Sequence, residues 1–250
     1  MAQLTVFAKG FNYSEDGPGN RLVLHLQGCN LGCPWCANPE GMPASPPPGW
    51  RAESRTVEDW FAFVRSSAPL FFSGGGLTLT GGEVGMQLDA AAALLRRCRA
   101  AGIHTAIETN LSLPRMPELF DGLSLLIADY KHPDADALRR GCGADLAQVE
   151  RNFALALGAG LPVIARVTLI GGFNADAAWA DAFAGALARI AAWGRPGQLS
   201  VELLTYHEYG KEKWARCGRA YTVADGFVRP AAVEAFRRTL AEAGLPRVAT

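Results

Sequence analysis

Three cysteines, Cys29, Cys33 and Cys36, lie within the stretch GCNLGCPWCANPE at residues 28–40. Thiolates bind soft metals, and this C-x3-C-x2-C spacing gathers three of them on one short loop. A structural zinc site takes four closed ligands, usually as two paired CxxC knuckles. The other cysteines, Cys98, Cys142 and Cys217, are isolated and far along the chain. Cys98 falls in a helical pattern beside Leu94 and Leu95, and reads as core. Cys142 lies between Gly141 and Gly143 in an expected loop, and Cys217 follows a YHEYG segment; both read as structural or incidental. Any of the three could close a tetrahedron in principle, but nothing in its surroundings points to it. An iron–sulfur cluster held by three thiolates makes different sense of the triplet. One iron then keeps an open position, as a catalytic zinc does, and the missing ligand becomes a binding site. Gly28, Gly32 and Pro34 suit a loop that wraps such a cluster closely.

The elements that must position this loop read as alternating strands and helices. Apolar runs predict strands at 21–27, 77–80, 103–109, 123–130, 162–170 and 199–205. Helices are expected from Thr56, with Asp59 at capping-box spacing and Val57, Trp60, Phe61 and Val64 on one face. Further helices are expected over about 88–101, 145–157 and 177–193, and from Pro230 to Gly244. GMPASPPPGW (41–50) is a proline-rich loop. Strand followed by helix, six times over, argues a parallel sheet. Six units are too few for an eightfold barrel, so a partial barrel and an open doubly wound sheet both fit. In either, chemistry belongs at the carboxyl ends of the strands. The cysteines follow the first strand, GGE (81–83) the second, DYKH (129–132) the fourth and YHEYG (206–210) the sixth.

Composition narrows the class. With 24 basic and 24 acidic residues in 250, the net charge is zero, which gives no support for a nucleic-acid or anionic-membrane partner. No long uncharged apolar run and no leader-like start are present, so a cytoplasmic protein with reduced thiols is expected.

The motifs resemble the radical S-adenosylmethionine (SAM) superfamily, whose cluster loop has this cysteine spacing with an aromatic, here Trp35, before the third cysteine. In order, DGPGNR (16–21), GCNLGCPWCANPE, GGGLTLTGGE (74–83), IHTAIETN (103–110), ADYKH (128–132), ARVTLIGGFNAD (165–176) and LLTYHEYGKEKW (203–214) resemble the glycyl-radical enzyme activating enzymes of the pyruvate formate-lyase type. LLTYHEYGKEKW is the most telling, because radical SAM enzymes at large do not share it. The resemblance implies an α/β fold, a partial (β/α)6 TIM-like barrel with a parallel sheet in a single domain. Residues 1–250 would be one radical SAM core with N-terminal and C-terminal extensions. Residues 37–97 hold no cysteine, so a ferredoxin-like insertion with extra clusters is not expected.

What the resemblance implies for each position is specific. Cys29, Cys33 and Cys36 would hold one 4Fe-4S cluster, and the amine and carboxylate of SAM would chelate its fourth iron. Trp35 and Ala37 would lie along the adenine. Gly81 and Gly82 would let the strand edge approach SAM, and Glu83 would accept from its amine. Asp129, Tyr130 and Lys131 would stand at its charged or ribose end, with Asp129 and Lys131 on the same side of the chain. Arg166 would fork onto a carboxylate, and His207 would reach the ribose or adenosyl edge. A monovalent cation is expected near Glu108, Thr109 and Asp129, with Glu108 longer than the Asp found in the best-known member. No side-chain acid, base or nucleophile is required. His25, His104 and His132 are structural or unassigned.

The implied protein substrate is a glycyl radical enzyme, and the implied electron donor is of flavodoxin or ferredoxin type. A monomer is expected. Two other readings stand beside this one: a radical SAM enzyme acting on a small molecule or another peptide, and a zinc- or cluster-binding scaffold without turnover. Singly, Glu83, Asp129 and Arg166 could equally be ordinary ion pairs at strand ends.

Overall fold

A computed structural model describes residues 2–246. Eight strands join in one sheet: β1 (Gln3–Tyr13), β2 (Asn20–Leu26), β3 (Glu53–Thr56), β4 (Gly76–Gly81), β5 (His104–Thr109), β6 (Leu125–Asp129), β7 (Val163–Leu169) and β8 (Leu199–Thr205). Their order is β3-β1-β2-β4-β5-β6-β7-β8. The helices are α1 (Val57–Ser67), α2 (Leu88–Ala100), α3 (Ala135–Cys142), α4 (Leu146–Gly158), α5 (Ala177–Ala191), α6 (Lys211–Arg216) and α7 (Pro230–Glu242). The chain packs as two compact units. One comprises the chain up to Asn30 with Asn38–Thr109 and Leu113–Ile127; the other comprises Leu31–Ala37, Asn110–Ser112 and the chain from Ala128 onward.

In the first unit, β2 pairs parallel with β4, and β4 with β5. Leu22, Leu24, Leu26, Leu77 and Leu79 are fully buried, as a parallel strand with both faces covered requires. Thr56 caps α1 by accepting the Asp59 N–H at 3.2 Å, and its hydroxyl donates to Asp59 Oδ2 at 2.6 Å. The apolar face of α1 buries Trp60 and Val64, and the Trp60 indole donates to the Leu4 carbonyl at 2.8 Å. The DGPG turn between β1 and β2 is held from below. Arg21, fully buried, donates to Thr78 Oγ1 (2.6 Å) and the Leu77 carbonyl (2.7 Å), while the Thr78 hydroxyl donates to the Asp16 carbonyl (2.8 Å).

The six expected strands are β2, β4, β5, β6, β7 and β8, the last with the predicted ends. The expected parallel sheet carries an antiparallel addition at one edge. β1 runs antiparallel to both β2 and β3, adding a ribbon that the apolar runs did not show. Its burial stops alternating after Phe7, and its register with β2 shifts between Val6 and Ala8. Beyond its short pairing with β3, β1 is largely exposed and carries no period-2 signal.

In the second unit, β7 and β8 pair parallel over seven residues, and α5 packs on α7 through Phe183 and Phe236, ring centroids 6.0 Å apart. One correction lies here. Cys142 is the last residue of α3, not part of a loop; Asp134 caps the helix, and Gly143 stops it in the left-handed conformation.

Candidate functional site

The cysteine loop leaves β2 under restraint from its own unit. Gly28 N–H donates to the Gly41 carbonyl at 2.8 Å, and Cys29 N–H to the Met42 carbonyl at 2.9 Å. The GGE turn runs alongside: Gly82 N–H donates to the Leu26 carbonyl and Glu83 N–H to the Gly28 carbonyl, at 2.8 and 2.7 Å. This close approach is why residue 82 is glycine. A Cβ there would drive into the Gly28 carbonyl and come within 2.9 Å of the Gly41 carbonyl. Glu83 is fully buried; its Oε1 accepts the Thr109 hydroxyl at 2.7 Å and the Gly85 N–H at 3.1 Å. Glu108 accepts the Thr80 hydroxyl at 3.1 Å.

The remainder of the loop, Leu31–Ala37, belongs to the second unit. The YHEYGKEKW segment grips it. The Trp214 indole N–H donates to the Cys36 carbonyl at 3.0 Å. Gly210 lies so close that a Cβ would sit 2.6 Å from the Cys36 oxygen and 2.7 Å from Ala37 Cα. The Trp35 ring packs on Phe173, centroids 4.6 Å apart, and Phe173 packs in turn on buried His132. His132 is structural: its Nδ1 accepts the Asp134 N–H at 2.9 Å, leaving Nε2–H for the Phe173 carbonyl.

Cys33 is buried, and Cys142, read as structural or incidental, has a structural place: its carbonyl accepts the Gly32 N–H at 3.2 Å. Hydrogen bonding with the Cys142 thiol lowers the Cys33 thiol to about 7 against the opposing effect of burial, and the nearby Lys131 ammonium adds to the lowering. The same hydrogen bond, with burial, pushes Cys142 up. Lys131 Nζ donates to Asp129 Oδ2 at 2.7 Å. Burial alone would pull Lys131 down, but the Asp129 carboxylate and the cysteine sulfurs hold it above its ordinary value.

Asp129 and Lys131 thus meet as their spacing predicts, and Tyr130 turns the other way. Its ring is buried between Phe153 and Phe183, both at 6.0 Å, and its hydroxyl donates to Glu150 at 2.9 Å. The Tyr130 side chain is a core element and not part of the Asp129–Lys131 face. Arg166 is buried in mid-strand, not at a strand end, and its Nε donates to Glu202 Oε2 at 2.5 Å. Glu202 stands directly across from it in the β7–β8 register, a partner that the sequence did not reveal. His207 stacks on Tyr209, centroids 4.2 Å apart at 23°, and its Nδ1 accepts the Tyr209 N–H at 3.4 Å.

All six cysteines are free thiols. Among the described residues, no three His, Cys, Asp or Glu side chains converge on one ion. Three free thiols on one loop, with Cys33 biased toward thiolate, fit the iron–sulfur donor set. Cys98 is fully buried within α2 and only structural.

A family profile described as the radical SAM superfamily matches residues 23–183. The chain belongs to the radical SAM superfamily. Over 90% of both chains it is 28% identical to the isethionate sulfite-lyase activating enzyme of Desulfovibrio desulfuricans. Over 84% of both it is 30% identical to the pyruvate formate-lyase-activating enzyme of Staphylococcus aureus strain USA300. A radical SAM methyltransferase from Sphaerobacter thermophilus shares the fold, with a TM-score of 0.65 at 16% identity over 95% of this chain and 67% of that one. The chain is therefore an oxidoreductase-type enzyme of the activating-enzyme kind, with the barrel-like α/β fold of the superfamily. The superfamily implies a 4Fe-4S cluster and SAM. No helix among the described residues is long and apolar enough to cross a membrane.

Proposed function

We propose that this chain activates a glycyl radical enzyme, cleaving SAM reductively at a 4Fe-4S cluster held by Cys29, Cys33 and Cys36. One observation supports the activase reading above all. The YHEYGKEKW segment, the part of the sequence most particular to activating enzymes, grips the third cysteine through Trp214 and Gly210. When bound, the cluster supplies the electron that breaks the S–C5′ bond of SAM, leaving a carbon radical able to take an α-hydrogen from glycine.

The chain's own part is to bind, orient and exclude water. Gly81 and Gly82 bring the strand edge to SAM, and Glu83 takes its amine. Asp129, held by Lys131, faces the ribose or charged end. Glu202 orients Arg166 toward a carboxylate. His207, Trp35 and Ala37 line the adenosyl group, the Trp35 ring being fixed by Phe173. We assign residues 1–250 to one radical SAM core with terminal extensions and no ferredoxin-like insertion. A flavodoxin- or ferredoxin-type protein is the electron donor in this reading.

Anaerobic reconstitution tests it. Four iron and four sulfide per chain, reductant-dependent 5′-deoxyadenosine, and a glycyl radical signal in a candidate partner by electron paramagnetic resonance are expected. Zinc in place of iron, or no SAM cleavage, would overturn the reading.

A further inference from the structure

The segment HEYGKEKWARCGR, residues 207–219, grips the cysteine loop with one side and meets solvent with the other. All of it lies in the second unit, as does Cys36. On the inner side Trp214 is buried, and its indole N–H donates to the Cys36 carbonyl at 3.0 Å. The outer side is basic. Lys211, Arg216 and Arg219 are exposed and Lys213 is half-buried; the acidic residues of the segment are Glu208 and Glu212. Four cationic side chains against two carboxylates leave a surplus of two positive charges, in a chain whose net charge is zero. The 2.8 Å ion pair of Lys211 with Glu208 is already inside that sum. The cations rest on an aromatic layer. Arg219 lies over the Trp214 ring at 4.8 Å and Lys211 over the Tyr221 ring at 5.9 Å, and the two rings meet edge to face at 5.8 Å. One ring therefore separates a basic surface from the peptide of Cys36.

We propose that this basic surface, on α6 and the turn after it, is where the electron donor docks, and that the donor is an acidic one-electron carrier protein. The inference rests on the reading of Cys36 as a cluster ligand. Surplus charge of one sign steers a protein of the opposite sign to the surface and speeds its association. That suits a carrier, which must arrive, deliver and leave. Tyr209, 83% exposed beside the same helix, adds apolar contact area of the kind that interfaces use together with arginine. The exchange balances simply: the carrier gives up one electron, the cluster gains it, and no bond is made or broken. The Trp214 ring, one hydrogen bond and the Cys36 main chain form a continuous route inward from the docking surface. A protein substrate has a different requirement, because its glycine must reach SAM itself; a donor need only come close to a ligand of the cluster.

Charge reversal tests this in the holoprotein. Lys211→Glu with Arg216→Glu reverses two exposed charges and leaves Arg219 on Trp214. Arg151→Glu with Arg238→Glu, at exposed positions of α4 and α7, makes the same change in net charge elsewhere. Binding of an acidic flavodoxin is measured by calorimetry at several salt concentrations, and its association rate by stopped flow. Wild type and the α4–α7 control should bind alike, more weakly as salt rises. The α6 variant should bind roughly 10- to 100-fold more weakly, mainly through slower association and with a flatter salt dependence. Lys211→Gln with Arg216→Gln, which removes charge without reversing it, should fall between the two and serves where the reversal unfolds α6. Dithionite, which needs no docking, should support equal 5′-deoxyadenosine formation in all of them. Equal flavodoxin affinity in wild type and the α6 variants overturns the proposal. So does equal weakening in the control, which would make the effect one of net charge. Normal flavodoxin binding with impaired binding of a glycyl radical enzyme also overturns it and assigns the surface to the protein substrate. A wild type that cleaves no SAM with dithionite defeats both the docking surface and the proposed function, whereas normal cleavage with carrier binding indifferent to α6 defeats the docking surface alone.

Discussion

In the proposed site the buried Glu83 carboxylate has a structural role beside its role toward SAM. Its Oε1 accepts from Thr109 and Gly85. Glu83→Gln keeps an oxygen for these donors and turns the other oxygen into an N–H group, which cannot accept from an amine. Fold and iron content should therefore hold. SAM affinity should weaken roughly 10- to 150-fold, the equivalent of about 1.5–3 kcal/mol for a charge-assisted hydrogen bond. Equilibrium dialysis with the loaded enzyme measures it; unchanged affinity removes Glu83 from the SAM site. At this scale the sequence was legible where local geometry decides. Asp129 and Lys131, two apart, meet as an ion pair. The same alternation sends the Tyr130 ring to the opposite side, into the core. The backbone tie from Gly32 to Cys142 was illegible, because it spans more than a hundred residues and depends on where a short helix ends.

The loop of three cysteines has almost no regular structure of its own, so its shape depends on what grips it. α6 holds the Cys36 end: Trp214 supplies a donor and Gly210 supplies the space. Gly210→Ala must displace the Cys36 peptide, and iron content is expected to fall below half that of wild type while the far-ultraviolet dichroism is retained. Trp214→Phe keeps the aromatic ring but removes the indole donor to the Cys36 carbonyl, a penalty of about 1–3 kcal/mol where that group is buried. Faster loss of iron to a chelator is the expected result. Full iron retention in both variants would mean that the loop is shaped without α6. The strands were legible because buried parallel strands are continuous apolar runs, as RLVLHL shows. α3, with eight residues, and α6, with six, are too short for helical periodicity to stand out, and four-residue β3 has no room for alternation. The long helices α2, α4 and α5 and the Pro230 start of α7 carried enough turns and end signals to be read directly.

Stability of the whole molecule gathers these local arrangements into one measurable quantity. The β7–β8 register places Arg166 opposite Glu202, both buried. Glu202→Ala removes the carboxylate facing a buried guanidinium, and a loss of about 3–5 kcal/mol is expected in urea unfolding. Arg166→Met with Glu202→Leu should regain most of it while SAM binding stays impaired; this separates the stabilising role of the pair from its role toward ligand. His104 provides the pH-dependent part. Arg21 Nη1 lies 3.2 Å from His104 Nδ1, and an arginine can only donate, so Nδ1 must accept and the ring is neutral. Burial, then the charges of Arg21 and Arg99, lower His104 to about 4. Unfolded, it would titrate near its ordinary value of about 6.5. Between these two values the unfolded chain holds the extra proton, so this contribution is intact above about pH 6.5 and is lost as pH falls toward 4. His104→Asn keeps an acceptor for Arg21 but does not titrate. Urea midpoints taken between about pH 7.5 and 5 should therefore decline less steeply in the variant than in wild type. Parallel declines would assign the acid sensitivity to other groups and leave the His104–Arg21 contact as a neutral brace under the DGPG turn.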